Sequence, residues 1–210
     1  MSDFRIRTCV LGPVSTNCYI LYREGKHECV VVDPADNGDY IANQCKELGV
    51  IPVAVLLTHG HFDHIMAVED LKRNFRATLY GGGKEAGLFG DSGANLSKDW
   101  GHRAVSFTVD ESLRDGQEFE LLGTMWRAME TPGHTAGSMC YYNEAEGILI
   151  SGDTLFFESY GRTDLPTGSQ SQIADSIRRK LFALPEDTMV YPGHGEPTTI
   201  GHEKRYNPMA

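Results

Sequence analysis

The chain has 210 residues, 40% of them hydrophobic and 23% charged, enough to bury a core in one large domain or two small ones. Its net charge is −10, and the one basic run, Arg178-Arg179-Lys180, falls on a predicted helix, which argues against a nucleic-acid groove. No apolar run approaches the ~20 residues that cross a bilayer, and the start, Met1-Ser2-Asp3-Phe4-Arg5, lacks the apolar centre of a signal peptide. Five cysteines (Cys9, Cys18, Cys29, Cys45 and Cys140) are odd in number and never form a Cys-x-x-Cys pair. They read as reduced core thiols of a cytoplasmic protein rather than as a thiolate metal site.

In chain order, apolar runs at 5–11, 18–22 and 29–32 are separated by the turn signals Gly12-Pro13 and Glu24-Gly25-Lys26, predicting an antiparallel meander. A helix over 38–48 and a strand over 53–57 follow, a strand–helix–strand unit that requires a parallel pair. Helical spacing continues over 65–73, and a further parallel strand at 77–80 is expected to stop at Gly81-Gly82-Gly83. Residues 84–104 predict a short helix and a flexible flap over the site, with Trp100 as the bulky anchor. Within them, residues 87–93 have the glycines of a phosphate loop but no lysine and no preceding strand.

A second set of strands is predicted at 106–109, 117–122, 125–130, 138–142 and 148–151. An amphipathic helix over 171–184 presents Ile173, Ile177, Leu181 and Leu184 on one face and ends at Pro185. A last strand at 188–191 precedes a polar tail. Two sheet layers with helices outside are the economical architecture.

Chemistry concentrates in Thr58-His59-Gly60-His61-Phe62-Asp63-His64, which lies between the strand at 53–57 and the helix after it. Four potential metal ligands within six residues at the carboxyl end of a strand stand where α/β proteins place their sites. Alternation in His-x-His aims two imidazoles at one point, and the Asp-His pair can serve a second point nearby. Three more candidates follow strands that end in glycine turns: His134 after Pro132-Gly133, Asp153 after Gly152, and His194 after Pro192-Gly193. Nitrogen and carboxylate donors without thiolate suit Zn²⁺ first, with Fe or Mn²⁺ compatible. Seven ligands exceed what one tetrahedral ion with an open position can use, so two metals sharing a hydroxide are expected.

These motifs, together with Gly152-Asp153-Thr154-Leu155-Phe156 and Pro192-Gly193-His194-Gly195, resemble the metallo-β-lactamase fold superfamily, most closely short single-domain hydrolases of the glyoxalase II type. The resemblance spans nearly the whole chain. It implies one α/β domain over 1–210, an αββα sandwich of two mixed sheets flanked by helices. It also implies hydrolysis of a small-molecule hydroxyacyl thioester, without a nucleic-acid or membrane partner. His59, His61 and His134 would hold one metal and Asp63, His64 and His194 the other. Asp153 would bridge them, Asp63 would also be the catalytic carboxylate, and Asp33 would orient the ligand loop. Arg162 in Gly161-Arg162-Thr163-Asp164 would meet a substrate carboxylate, although Asp164 stands where an aromatic is expected. A mononuclear iron persulfide dioxygenase, a lactone hydrolase and a non-enzymatic metal scaffold are the rival readings. The intact set of second-site ligands favours hydrolysis.

Overall fold

The expected meander forms in the computed structural model, which describes residues 2–210: β1 (Phe4–Leu11), β2 (Thr16–Arg23) and β3 (Glu28–Val32) pair antiparallel. α1 (Gly38–Leu48) then returns the chain so that β4 (Ile51–Leu56) lies parallel to β3. Asn37 starts α1 by accepting the Tyr40 N–H at 3.1 Å, and Gly49, at φ 72°, ends it. Two short helices, α2 (Phe62–Ile65) and α3 (Val68–Asn74), lead to β5 (Thr78–Gly82), also parallel. After α4 (Ala86–Phe89) and α5 (Ser97–Trp100), β6 (Glu111–Leu113) completes a mixed sheet of strand order β1-β2-β3-β4-β5-β6.

The second mixed sheet is built from β7 (Glu118–Leu121), β8 (Thr124–Glu130), β9 (Met139–Asn143) and β10 (Ile148–Gly152). A small hairpin, β11 (Leu155–Phe156) and β12 (Ser159–Tyr160), and helix α6 (Gln170–Asp175) precede β13 (Met189–Pro192), which pairs parallel with β10. β14 (Thr198–Thr199) at the edge and α7 (Ile200–Tyr206) end the fold.

Why the strands read as continuous apolar runs follows from what lies on each face. Val30 and Val32 of β3 face the second sheet in one core with Tyr141, Trp126 and Ile150. Cys29 and Val31, on the other face, pack with Ile41, Cys45 and Leu71 of the helices. Beyond the second sheet, Cys140, Leu149 and Val190 pack on Ile173, Ile177, Leu181 and Ile200. The layers are helix, sheet, sheet, helix, as expected. All five cysteines are buried and unpaired. Among the described residues no helix is long and apolar enough to cross a membrane.

Several local expectations are corrected. Residues 106–109 join no sheet; the strand there is β6, and it belongs to the first sheet. The glycine run does not stop β5, because Gly81 and Gly82 lie inside it. A Cβ on Gly82 would come within 2.8 Å of the Gly137 carbonyl, so the run allows close approach of the two sheets. The expected helix over 65–73 is broken between α2 and α3. The segment at 84–104 is anchored, with Glu85, Phe89, Asn95 and Ser97 all buried. The helix expected over 171–184 continues from α6 through a wider π turn at Ser176–Lys180 and a tighter 3₁₀ turn, yet keeps its four apolar residues buried. The polar tail hides a helix whose Ile200 and Glu203 are buried.

Leu56 ends β4 directly beneath the ligand loop and is fully buried between the sheets. Leu56→Ala should cost ~2–5 kcal/mol of stability by cavity formation. Urea unfolding measures this, and a loss under ~1 kcal/mol would mean that the inter-sheet core is not close-packed at this end.

Candidate metal centre

Each candidate ligand leaves the end of a strand of one sheet or the other. β4 delivers Thr58 to His64; β8 leads to His134, β10 to Asp153 and β13 to His194. The glycines in these turns are needed for space. At φ 141° a Cβ on Gly133 would collide with the Ile173 backbone, and one on Gly193 would collide with Asp153 Oδ1.

The structure brings all seven predicted residues together. Their donor atoms form three overlapping groups, each within 4.8 Å: His59, His61 and His134; His59, His64 and Asp153; Asp63, His64 and His194. His61 Nδ1 lies 2.8 Å from His134 Nε2. Asp63 Oδ2 lies 3.2 Å from His194 Nε2 and 3.4 Å from His64 Nε2. Asp153 stands between the halves, its Oδ2 3.5 Å from the Nε2 atoms of both His134 and His194.

The donor set fits cations. Two imidazole nitrogens at 2.8 Å cannot both present bare lone pairs to each other; a proton or a metal must satisfy them. His59 Nε2, His64 Nε2 and Asp153 Oδ1 are buried without a hydrogen-bond partner. The outer ring nitrogens of His134 and His64 are already engaged, as is usual for metal-binding histidines. His134 Nδ1 donates to the Arg162 carbonyl at 2.7 Å, and His64 Nδ1 donates to Asp33 Oδ2 at 2.9 Å.

Asp33 lies against the ligand loop. At φ 45°, beyond the end of β3, its Oδ1 accepts the Thr58 N–H at 2.8 Å and its Oδ2 accepts the Thr58 hydroxyl at 2.6 Å. The sequence reading missed three other supports. Glu85, fully buried, accepts the Gly60 N–H at 2.9 Å. Thr16 Oγ1 donates to Asp63 Oδ2 at 2.8 Å. The Asn17 amide and the Tyr19 hydroxyl both donate to the Pro192 carbonyl, fixing the turn that carries His194. His27, His102 and His202 remain outside the cluster.

A cavity of about 400 Å³ opens over Asp63, His134, Asp153 and His194, and Arg162 lines it. Most of its wall is apolar, from Val14, Phe62, Leu96, Trp100, Phe156 and Leu165. Arg162 is not a free cation: its Nε and Nη2 donate to the Asp164 carboxylate at 2.7 and 2.8 Å. A larger cavity of about 630 Å³, between Arg23 and Leu122, contains no group of candidate ligands among the described residues.

The electrostatics divide the cluster. Burial and neighbouring imidazoles push His59 well below its usual range and His61 down to about 3, so both keep lone pairs at neutral pH. Around His64 and His194 burial acts the same way but is outweighed by carboxylates. Asp63, Asp153 and Asp33 hold His64 up, and Asp153 and Asp63 lift His194 to about 9. Burial raises Asp63 as well, yet His64, His194 and the Thr16 hydroxyl bring it to about 2.

The fold and this centre define a metal-dependent hydrolase. The chain belongs to the metallo-β-lactamase superfamily, which it matches over residues 11–194. It is 31% identical over 195 residues to the hydroxyacylglutathione hydrolase GloC of Haemophilus influenzae, covering 92% of each chain. Among solved structures it is similar to the B3 metallo-β-lactamase BLEG-1, with 37% identity, a TM-score of 0.91, and 97% of this chain and 98% of that one covered. The di-iron-bound form of TTHA1623 gives 34% identity and a TM-score of 0.85, with 97% and 100% covered.

Metal loading should therefore compete with protons unequally. A cation joining Asp63 and His194 must displace the proton that His194 holds below about pH 9, whereas His61 stays unprotonated down to about pH 3. Titrating metal-free protein with Zn²⁺ at pH 7 should release protons, read by calorimetry in buffers of different ionisation heat. On acidification the ion at Asp63, His64 and His194 should leave first. Loading without proton release would contradict these assignments.

Proposed function

We propose that the chain hydrolyses acyl thioesters of the hydroxyacylglutathione type with two divalent metal ions. His59, His61 and His134 would hold one, Asp63, His64 and His194 the other, and Asp153 would contact both. The observation that carries this reading is Asp153 Oδ2 standing 3.5 Å from a histidine of each half. Zn²⁺ suits the donors, with Fe or Mn²⁺ compatible. Bound there, the ions would acidify water to a nucleophile near neutral pH and polarise the substrate carbonyl.

The chain's own residues do the rest. Asp63, held ionised and fixed by Thr16, orients the attacking water as a hydrogen-bond acceptor; its low pKa makes it a poor proton carrier. Asp153 is likewise held well below the usual carboxylate range, so neither carboxyl lining the cavity is a ready general acid. That favours a leaving group that departs unprotonated. A thiolate, with a conjugate acid near ~8.5, does so far more readily than an alkoxide or an amine. A thioester fits this, whereas a lactone or an amide would need a proton from His194, which also lines the cavity. Five unpaired buried cysteines support a reducing, cytoplasmic setting.

Activity on a hydroxyacyl thioester should vanish with a chelator and return with added metal. Asp63→Ala should lower bound metal toward one per chain and cut hydrolysis by orders of magnitude. Two ions still bound at an unchanged rate would refute the assignment. A single iron with oxygen consumption on a persulfide would favour the dioxygenase.

Arg162 would meet a carboxylate of the substrate, but Asp164 already occupies its fork. The pair is exposed, so its effect is modest. Arg162→Ala should raise KM for an anionic thioester by roughly fivefold or less and spare a neutral one. Asp164→Asn should lower the same KM. Equal changes on both substrates would remove Arg162 from binding.

A further inference from the structure

We infer that Glu85 is a positioning residue for the first metal, a buried strut that holds the loop of His59 and His61 at a set distance from the turn of His134. The inference rests on the two-metal reading above.

Glu85 lies in the turn between β5 and α4, outside every motif of the ligand set. Its residue is fully buried. Oε1 accepts the N–H of Gly60, the residue between the two histidines of His59-Gly60-His61, at 2.9 Å. The other side of the carboxylate meets the turn after His134: a Cβ on Gly137 would collide with Oε2 and with the Glu85 backbone. Oε2 is buried there without a hydrogen-bond partner, packed against the turn in which the Thr135 and Ser138 hydroxyls pair at 2.7 Å. One side chain thus touches both segments that carry His59, His61 and His134.

Three physical points favour positioning over filling space. Glycine between two ligands leaves that peptide free to rotate unless something holds it. α4 bounds it on one side, since a Cβ on Gly60 would come within 2.7 Å of Leu88 Cβ, and Glu85 takes its N–H. Secondly, the carboxylate accepts one hydrogen bond, from the Gly60 N–H, and burial pushes its pKa up. A residue serving packing alone would be apolar there. Thirdly, Asp33 already supplies the matching support at the other end of the loop, binding Thr58 and His64. Asp33 thereby sets the half of the centre that contains His64, and Glu85 sets the half that contains His61 and His134. Without the strut, the 2.8 Å approach of His61 Nδ1 to His134 Nε2 has no shared anchor.

The test reads Co²⁺ affinity and its visible spectrum in backgrounds that leave one half complete. With His194→Ala, only the His59, His61 and His134 half remains whole; with His61→Ala, only the other half does. Glu85→Met keeps most of the volume but removes the acceptor that holds the Gly60 N–H. In the His194→Ala background it should weaken Co²⁺ about ten- to a hundredfold and alter the spectrum. In the His61→Ala background the change should stay within about threefold, because Glu85 supports only the first half. Unchanged affinity in both backgrounds, or equal loss in both alongside a lower melting temperature of the metal-free protein, would overturn the inference. If Glu85→Met does not fold, Glu85→Gln keeps one acceptor but replaces Oε2 with an NH₂ against the Gly137 backbone. It should weaken the first half alone, and no effect there also overturns the proposal. Failure of the parent protein to bind Co²⁺ would instead bring down the two-metal reading, and this inference with it.

Discussion

Five imidazoles and two carboxylates, most of them buried, lie within a few ångströms of one another, and the rest of the structure is arranged around that constraint. Such a cluster repels itself and is poorly solvated, so it persists only if cations fill it and the backbone cannot relax away. The protein meets the second condition with outer hydrogen bonds. His64 is held by Asp33, His134 by the Arg162 carbonyl and Asp63 by Thr16. Each bond fixes a ring or carboxylate orientation before any cation arrives, which lowers the ordering cost of binding.

The sandwich explains how those bonds are possible. β4 of one sheet and β8, β10 and β13 of the other end at the same rim. Ligand turns from both sheets therefore face one another across the inter-sheet core rather than along one surface. β2 contributes from its opposite end. Its first residues, Thr16 and Asn17, run antiparallel to the neighbouring strands and so reach the same rim. The Asn17 N–H donates to the Gly193 carbonyl at 2.7 Å and its amide to the Pro192 carbonyl, a cross-sheet clamp on His194. Strand direction thus determines which residues can act on the metals.

What could be read from sequence follows the range of the interaction. Thr58 to His64 lie in one loop, so local spacing sufficed to identify them. His134, Asp153 and His194 were legible because each repeats the same local device, a strand end followed by glycine. Apolar runs identified most strands because both sheet faces are covered. Support contacts were not legible: Glu85 meets Gly60 across 25 residues, Thr16 meets Asp63 across 47 and Asn17 meets Pro192 across 175. Nothing in Gly83-Lys84-Glu85-Ala86 marks its glutamate as different from a solvated one. Arg162 was placed near the site, but its partner was not, because Asp164 read as a departure from a pattern rather than as a counter-charge. The misplaced strand at 106–109 has a similar cause. Its alternation is real and Val105 is buried, but the chain there packs on Phe89 instead of a strand edge.

The separation of metal support from cavity wall has a consequence for specificity. Ligands and their supports come from strand ends locked by buried hydrogen bonds. The wall comes from other places: Val14 from the β1–β2 turn, Leu96 and Trp100 from the segment around α5, Phe156 and Tyr160 from the small hairpin, and Leu165 beyond it. Val14 and Trp100 are half exposed, at 50% and 53%, and no metal-supporting hydrogen bond runs through their side chains. Surface positions of this kind can change without disturbing the centre. One metal scaffold can then serve acyl substrates with different arms. In this chain the wall is mostly apolar and Arg162 is already paired with Asp164, so apolar contact contributes more than charge to holding a substrate arm.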